Sequence, residues 1–281
     1  MTEITPRSET EELQAAHYNA DEVAIESTRA PLLDHLSELR DRLLWSVGAV
    51  VIGFIVCFAV WHLILRGLLL PYEQAVIAVK GADALKSGMA LQYTAPLEAF
   101  ITQIKVALFG GIMLAFPVIS FQLYRFIAPG LYSHEKKAFT PFLLMAPVLF
   151  TMGAAMAYFV VMPMVMQFSL RQELTAGVGE VSVVYQGKIS EYVGMITTLI
   201  LGFGGCFQLP VIQLLLGRAG IVDGETWLKN GRYAIFGIFV VAAVVTPPDV
   251  ISQLALAIPL IILYYLGALL VKMGDPKEAK V

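Results

Sequence analysis

The sequence contains little charge and few of the side chains that carry enzyme chemistry. Of its 281 residues, 15% are charged and 58% are hydrophobic, whereas a soluble domain is about 25% charged and about 45–50% apolar. It contains no Walker loop and no HExxH, CxxC or glycine-rich dinucleotide motif. Its four histidines are too dispersed to suggest a metal site. We therefore expect no catalytic centre, no metal and no cofactor.

Long apolar runs take the place of these motifs. Leu43 to Leu65 is a run of 23 residues without Asp, Glu, Lys or Arg. At about 1.5 Å per residue, such a helix crosses the roughly 30 Å of a hydrocarbon core. Cys57 and Cys206 both lie inside apolar runs, which predicts packing rather than a disulfide or metal role. The sequence therefore predicts an all-α integral membrane protein.

Six transmembrane helices are predicted within a membrane domain that covers residues 31–271. They lie at about 43–65, 97–124, 138–167, 192–216, 233–245 and 250–271. The apolar core of the fifth helix is only 13 residues, roughly 20 Å, so we expect short fifth and sixth helices and a locally thinned bilayer. Pro71 to Pro96 is predicted to be a polar loop.

The distribution of Lys and Arg predicts the orientation in the membrane. Six spans place both termini on one side, and that side collects 13 of the 19 basic residues. The positive-inside rule then places both termini in the cytoplasm. Residues 1–30 are predicted to be an acidic, disordered cytoplasmic tail, and residues 272–281 form a second cytoplasmic tail.

Two polar stretches on the predicted cytoplasmic side each carry an acid among bases. They read LDHLSELRDRL at 33–43 and RFIAPGLYSHEKK at 125–137, and their acids nearest the membrane are Glu38 and Glu135. One interpretation is that these acids pair with neighbouring bases and keep the surface soluble. The other is that they receive cationic side chains of a ligand. A carboxylate binds Arg through two parallel hydrogen bonds that Lys cannot form, so such a site can be selective.

Four motifs resemble the TatC family, the multi-spanning core component of the twin-arginine protein translocase. They are HLSELR at 35–40, FIAPGLYSHEKK at 126–137, AYFVVMP at 157–163 and TPPDVISQ at 246–253. The resemblance implies a six-helix protein of the cell inner membrane that binds twin-arginine signal peptides of folded cargo proteins. It also implies translocation with TatA and TatB, in a multi-copy complex surrounded by lipid and driven by the protonmotive force. No nucleic-acid partner is expected.

The resemblance also implies roles for individual residues. Glu38 and Glu135 would receive the two arginines, on a surface shaped by Arg40, Phe126, Leu131 and Tyr132. Partner helices would dock around Thr246, Asp249 and Gln253, and Pro71 would belong to an outer cap. At Gln208 many family members carry an acid, so this chain would hold a partner helix through an amide hydrogen bond instead.

A secondary transporter of a small solute is the alternative function. Glu98 and Lys105, seven residues apart on one face of the second span, would be its coupling residues. Against this alternative, no repeat relates the first three spans to the last three. The polar motifs also cluster at the predicted cytoplasmic edge rather than at the bilayer midplane.

Overall fold

The computed structural model describes residues 37–86, 91–127, 136–173, 185–218, 220–246 and 249–274. The chain divides into two compact units, residues 1–45 and residues 46–281. Regular structure in the described ranges is helical, apart from an isolated bridge between Gln92 and Lys188. The prediction of an all-α fold is therefore confirmed.

The helices are numbered here in chain order. They are α1 (Ser37–Ala59), α2 (Trp61–Lys80), α3 (Asp83–Lys86), α4 (Glu98–Ile127), α5 (Lys136–Met156), α6 (Met162–Arg171), α7 (Ile189–Cys206), α8 (Leu209–Arg218), α9 (Gly224–Lys229), α10 (Gly231–Val245) and α11 (Val250–Gly274), with a π-helical turn at Ala157–Val161 between α5 and α6. Six helical stretches among the described residues are long and apolar enough to cross a membrane: α1, α2, Glu98–Leu123, Met145–Arg171, Ile189–Arg218 and α11.

The first predicted span and the polar loop after it differ from the structure. The helix is interrupted at Val60, and α2 then continues through Pro71 to Lys80, where a polar loop was predicted. The physical reason is a helical repeat that the polar residues concealed. One face of α2 buries a series of side chains at intervals of three or four positions: Leu65, Leu68, Tyr72, Ala75 and Val76. Arg66 and Glu73 are exposed on the other side.

Contacts with α4 show that α1 and α2 run in the same sense. A Cβ atom on Gly53 of α1 would lie 2.8 Å from the carbonyl oxygen of Gly111, so the two backbones touch there. A Cβ atom added to Gly110 of α4 would lie 3.0 Å from the side chain of Ile64 in α2. Lys80, at the far end of α2, lies at the same end of the bundle as the start of α4, as described below. Residues 46–80 therefore follow one broken path antiparallel to α4.

The last two helices differ in length. α10 has 15 residues, about 22 Å, and is short as predicted. The final helix was also predicted to be short, but α11 has 25 residues, about 37 Å. It continues to Gly274 and accommodates Pro259 in its interior. The shortness is thus a property of α10 alone.

The buried core lies where α2, α4, α6 and α7 meet. Its side chains are aliphatic, aromatic and thioether groups that are 0–1% exposed: Val76, Val106, Met162, Met166, Val193, Ile196 and Phe203. Large apolar side chains elsewhere are exposed, for example Phe236 at 71% and Val244 at 81%. Such a surface is costly in water and suits contact with lipid chains.

Two tyrosine hydroxyl groups attach α2 to this core. Pro71 has no N–H, so the carbonyl of Gly67, four residues earlier, lacks its helical donor. The hydroxyl of Tyr158, in the π-helical turn, donates to that carbonyl. The hydroxyl of Tyr192 on α7 donates to the neighbouring carbonyl of Leu68 at 2.6 Å. Tyr158, far along the chain, thus satisfies the carbonyl that the proline leaves without a donor, and Tyr192 attaches the carbonyl beside it.

We predict that Tyr158→Phe destabilises the protein by about 1–3 kcal/mol, because it leaves the buried Gly67 carbonyl without a donor. Pro71→Ala restores an N–H four residues after Gly67, so it should remove much of that cost. A double-mutant cycle of thermal unfolding in detergent measures the coupling. Tyr192→Phe is the control, since its acceptor is the carbonyl of Leu68 rather than that of Gly67, and it should be additive with Pro71→Ala. An equal cost of Tyr158→Phe in the unchanged protein and in the Pro71→Ala variant would contradict this account.

Candidate functional site

Glu98 joins the starts of two membrane helices. It is the first residue of α4, and its side chain is buried. Its carboxylate accepts hydrogen bonds from the backbone N–H groups of Thr94 and Ala95, at 2.5 and 3.1 Å. It also accepts one from the Ser190 hydroxyl at the start of α7, at 2.5 Å. Glu98 therefore caps α4 and fixes α7 beside it.

The predicted coupling pair of a transporter is not formed in this structure. Lys105 lies seven residues along α4, about 10 Å from Glu98, and its side chain is exposed. Within the described part of the chain, no ion pair joins Lys105 to Glu98. The Glu98 carboxylate is instead occupied by the donors at the two helix starts. These contacts give Glu98 a structural role.

An ion pair and a short backbone pairing complete this end of the bundle. Lys80, the last residue of α2, pairs with Glu173 just beyond α6. The N–H of Tyr185 donates to the same carboxylate at 2.9 Å. Gln92 accepts from the N–H of Ile189 at 3.1 Å. The Glu98 end, meaning the residues 80, 92–98, 171–173 and 185–190, thus ties together α2, α4, α6 and α7.

The environment of Glu173 favours its charged form. Burial alone would raise its pKa. The hydrogen bond and positive charge of Lys80, together with the Tyr185 N–H, outweigh burial and hold the pKa of Glu173 below its ordinary value. Glu173 is therefore ionised at neutral pH.

The residues predicted to dock partner helices lie together at the connection between α10 and α11. The Thr246 hydroxyl, which is buried, donates to the Ala242 carbonyl at 2.8 Å. Asp249 caps α11 by accepting from the Ser252 N–H at 2.7 Å. The Gln253 amide donates to the Phe239 carbonyl at 3.2 Å. The structure therefore brings these three residues together, and each has a partner within the chain.

Gln208 lies at the bend between α7 and α8. Its amide nitrogen donates to the carbonyl of Ala146 in α5 at 2.9 Å. The hydrogen bond that was predicted to hold a partner helix is thus directed to a helix of the same chain. In this structure Gln208 connects α5 to the bend.

Of the two acids predicted to bind arginine, Glu38 is described. It lies in the first turn of α1, where Oε1 is 2.7 Å from Nη2 of Arg42. Arg40 pairs with Asp41 at 2.9 Å, and both side chains are exposed. Phe126 lies, partly buried, in the last turn of α4. Glu135, Leu131 and Tyr132 lie outside the described residues, as do Pro247 and Pro248.

Residues that sequence reasoning missed are Tyr158, Tyr192 and Glu173. A tyrosine in an apolar helix is ordinarily read as packing, and neither its partner nor its hydroxyl geometry can be seen in the sequence. Pro71 offered an indirect signal, because a proline inside a helix always leaves one carbonyl without a donor. That carbonyl requires a donor from elsewhere in a membrane protein.

We predict that Glu98→Gln lowers the melting temperature of the purified protein by about 2–4 °C or more, because its NH2 would face either the N–H groups of Thr94 and Ala95 or the Ser190 hydroxyl. Glu191→Gln is the matched control at the same end. Its carboxylate is exposed and 3.7 Å from Lys188, so its loss should have little effect. Equal melting temperatures of the two variants would argue against a cap at Glu98.

Comparison with known proteins gives one consistent result. The model of the family described as "Sec-independent protein translocase protein (TatC)" matches residues 34–259. A protein of that name from Magnetococcus marinus is 40% identical over 252 residues, which cover 90% of this chain and 88% of that protein. One from Helicobacter pylori is 38% identical over 247 residues, covering 87% and 90%.

Solved structures agree with these relatives. A crystal structure of the twin arginine translocase receptor TatC is similar with a TM-score of 0.68 and 33% identity, over 85% of this chain and 98% of that one. A second crystal structure of the same receptor, in the detergent DDM, gives a TM-score of 0.70 and 34% identity, over 84% and 98%.

Proposed function

The chain belongs to the TatC family of Sec-independent protein translocase proteins, and from that premise we propose that it is the subunit that receives twin-arginine signal peptides. With TatA and TatB it would move folded proteins across the inner membrane, using the protonmotive force. The observation that carries the proposal is the contact of Glu38 with Arg42, a carboxylate that already accepts a guanidinium at 2.7 Å. An arginine of the signal peptide would take the place of Arg42 there.

The proposed orientation has both termini in the cytoplasm. Because α1 and α2 follow one broken path, they count as one crossing. The other five crossings are α4, α5 with α6, α7 with α8, α10 and α11. The total is then six. α2 supports this count, since it is the least apolar of the six long candidates. The Glu98 end would face away from the cytoplasm, which agrees with Pro71 belonging to an outer cap, and the basic residues at the opposite end favour the cytoplasmic side.

The energetics suit a receptor that must also release its cargo. Hydrogen bonds to charged groups contribute about 1.5–3 kcal/mol each. Two arginine sites, at Glu38 and Glu135, would give about 3–6 kcal/mol, which corresponds to a Kd of roughly millimolar to tens of micromolar. The apolar segment of the signal peptide would add the remainder by burying its surface beside the helices.

We predict that Glu38→Gln and Glu135→Gln each weaken binding of a twin-arginine signal peptide by about 10- to 150-fold, since each removes one charged acceptor. Cross-linking of the peptide in membranes and export of a twin-arginine reporter measure this effect. Asp41→Asn is the matched control for Glu38, because Asp41 is an exposed acid of the same helix turn, paired with Arg40. Equal binding of twin-arginine and twin-lysine peptides would contradict the proposal and would favour the transporter alternative.

Partner helices of TatA and TatB would dock at the connection between α10 and α11. The apolar surface around it supports this proposal, because Val244, Val250 and Ile251 are all more than half exposed. Thr246, Asp249 and Gln253 supply polar groups beside that surface. Gln208 has weaker support, because its amide N–H already donates to Ala146.

We predict that Asp249→Asn keeps the cap of α11 but removes a charge, so it should leave the melting temperature unchanged and reduce cross-linking to TatB. Asp249→Ala removes the cap as well and should also cost about 1 kcal/mol of stability. Site-specific photo-cross-linking from residue 251 measures docking, and thermal unfolding measures the cap. If Asp249→Asn cross-links to TatB as well as the unchanged protein does, Asp249 acts only as a cap.

A further inference from the structure

Lys105 is a charged side chain inside a helix that is long and apolar enough to span the membrane, and the proposed function does not use it. It is exposed, and it forms no ion pair or hydrogen bond with any described residue. Its neighbours on the same face of α4, Ile101 and Leu108, are 48% and 45% exposed. A charge among lipid-facing apolar side chains is costly, and such groups usually have a partner. This face of α4 therefore requires an acid from outside the copy to which it belongs.

Glu73 on α2 is an acid in the same situation. It is exposed and has no ion pair or hydrogen bond within the described part of the chain. Leu70 and Ile77, on the same face of α2, are 47% and 46% exposed. The two faces thus have the same composition, exposed apolar side chains around one charge, and the charges of Glu73 and Lys105 are opposite.

The two faces point to different sides of the bundle. α2 meets α4 where the side chain of Ile64 approaches Gly110. Successive residues turn by about 100° around a helix, so Lys105 lies about 140° from Gly110 around α4. By the same rule Glu73 lies about 180° from Ile64 around α2. Both side chains point away from the contact between their helices, so they do not face each other within one copy.

The two charges nevertheless lie at matching depths along the bundle. Glu73 is nine residues past Ile64, about 14 Å, and Lys105 is five residues before Gly110, about 8 Å in the same direction because the helices are antiparallel. Their backbones thus differ in depth by about 6 Å. Side chains lean toward the N-terminus of their helix. In antiparallel helices this brings the ends of Lys105 and Glu73 toward the same level.

Arg66, which shares the exposed face of α2, does not oppose this pairing. It lies seven residues before Glu73, about 10 Å deeper along the bundle. Its side chain leans further inward, whereas that of Lys105 leans outward. The two like charges therefore diverge, while Lys105 and Glu73 converge.

We propose that Lys105 of one copy forms an ion pair with Glu73 of a second copy of this chain, with α4 of the first packed against α2 of the second. Copies in one membrane share one orientation, so matching depth is the condition that such a pair must meet. The apolar neighbours of the two charges pack against each other. Apolar surfaces gain little by association in lipid, so the ion pair sets the register of the contact. The contact joins two different faces, which makes it heterologous, and its repetition generates a ring or a row of copies.

A carbodiimide tests the pair directly, because it couples an amine only to a carboxylate that lies next to it. Two full-length copies with different tags are co-expressed, one with Lys105→Arg and the other with Glu73→Gln. Arginine keeps the charge but is not coupled, so a Lys105–Glu73 amide can form only between the two copies. We expect a cross-linked heterodimer in membranes, with that amide identified by mass spectrometry. Both changes placed together in both copies should abolish the amide.

Exchange of the two charges tests the contribution of the pair to association. Glu73→Lys and Lys105→Glu should each lower co-purification of differently tagged copies by about tenfold or more, the effect of losing a charged hydrogen bond. The two changes together should restore most of it. Glu191→Lys is the matched control, since Glu191 is an exposed acid at the same end of the bundle but lies on neither face. Melting temperatures confirm that each variant is folded.

Three results would contradict the proposal. The first is a mixed pair of copies that yields no Lys105–Glu73 amide while the unchanged protein does, because the two groups would then meet within one copy. The second is a folded double exchange that associates no better than either single variant. The third is coupling of Lys105 to an acid of a different polypeptide, which would assign this face of α4 to another partner. Each outcome is independent of signal-peptide binding at Glu38 and Glu135.

Discussion

The requirement that every backbone polar group in the membrane has a partner governs this structure. Water is absent from the hydrocarbon core, so an unpaired carbonyl there costs more than in a soluble protein. Pro71 removes the donor to Gly67, and Tyr158 supplies another from the π-helical turn. At the starts of α4 and α11, the carboxylates of Glu98 and Asp249 accept hydrogen bonds from backbone N–H groups. Local problems of the backbone are thereby solved by side chains, and two of these, Tyr158 and Glu98, also position neighbouring helices.

The contacts at the Glu98 end serve the structure of the bundle rather than the proposed function. One ion pair and several hydrogen bonds to carboxylates join four helices at the Glu98 end. The residues proposed to function are different ones: Glu38 in α1 and those around the turn between α10 and α11. Glu98 and Glu173 are bound by donors from other helices, Ser190 and Lys80, whereas Glu38 pairs with Arg42 in its own helix, a contact that is easily exchanged.

Much of the fold could be predicted from the sequence, because apolar runs and basic residues report membrane spans directly. The break at Val60 and the helical course of residues 71–80 could not, because polar residues on one face of α2 resemble a loop. The spacing of Glu98 and Lys105 predicted a shared face, but not that Ser190 would occupy the acid. The sequence motifs identified the candidates for binding arginine. The hydrogen bond from Gln208 to Ala146, by contrast, depends on tertiary structure that no local pattern encodes.

The attachment of α2 depends on residues that are translated well after it. Tyr158 and Tyr192 follow their carbonyl acceptors by 91 and 124 residues. At about 5–20 residues per second of translation, the Gly67 carbonyl, which Pro71 deprives of its helical donor, waits roughly 5–18 seconds for Tyr158 to be made. During that interval α2 has no partner for its proline-exposed backbone. We therefore expect this part of α2 to remain near headgroup water or the insertion machinery until the third crossing, which carries Tyr158, has emerged.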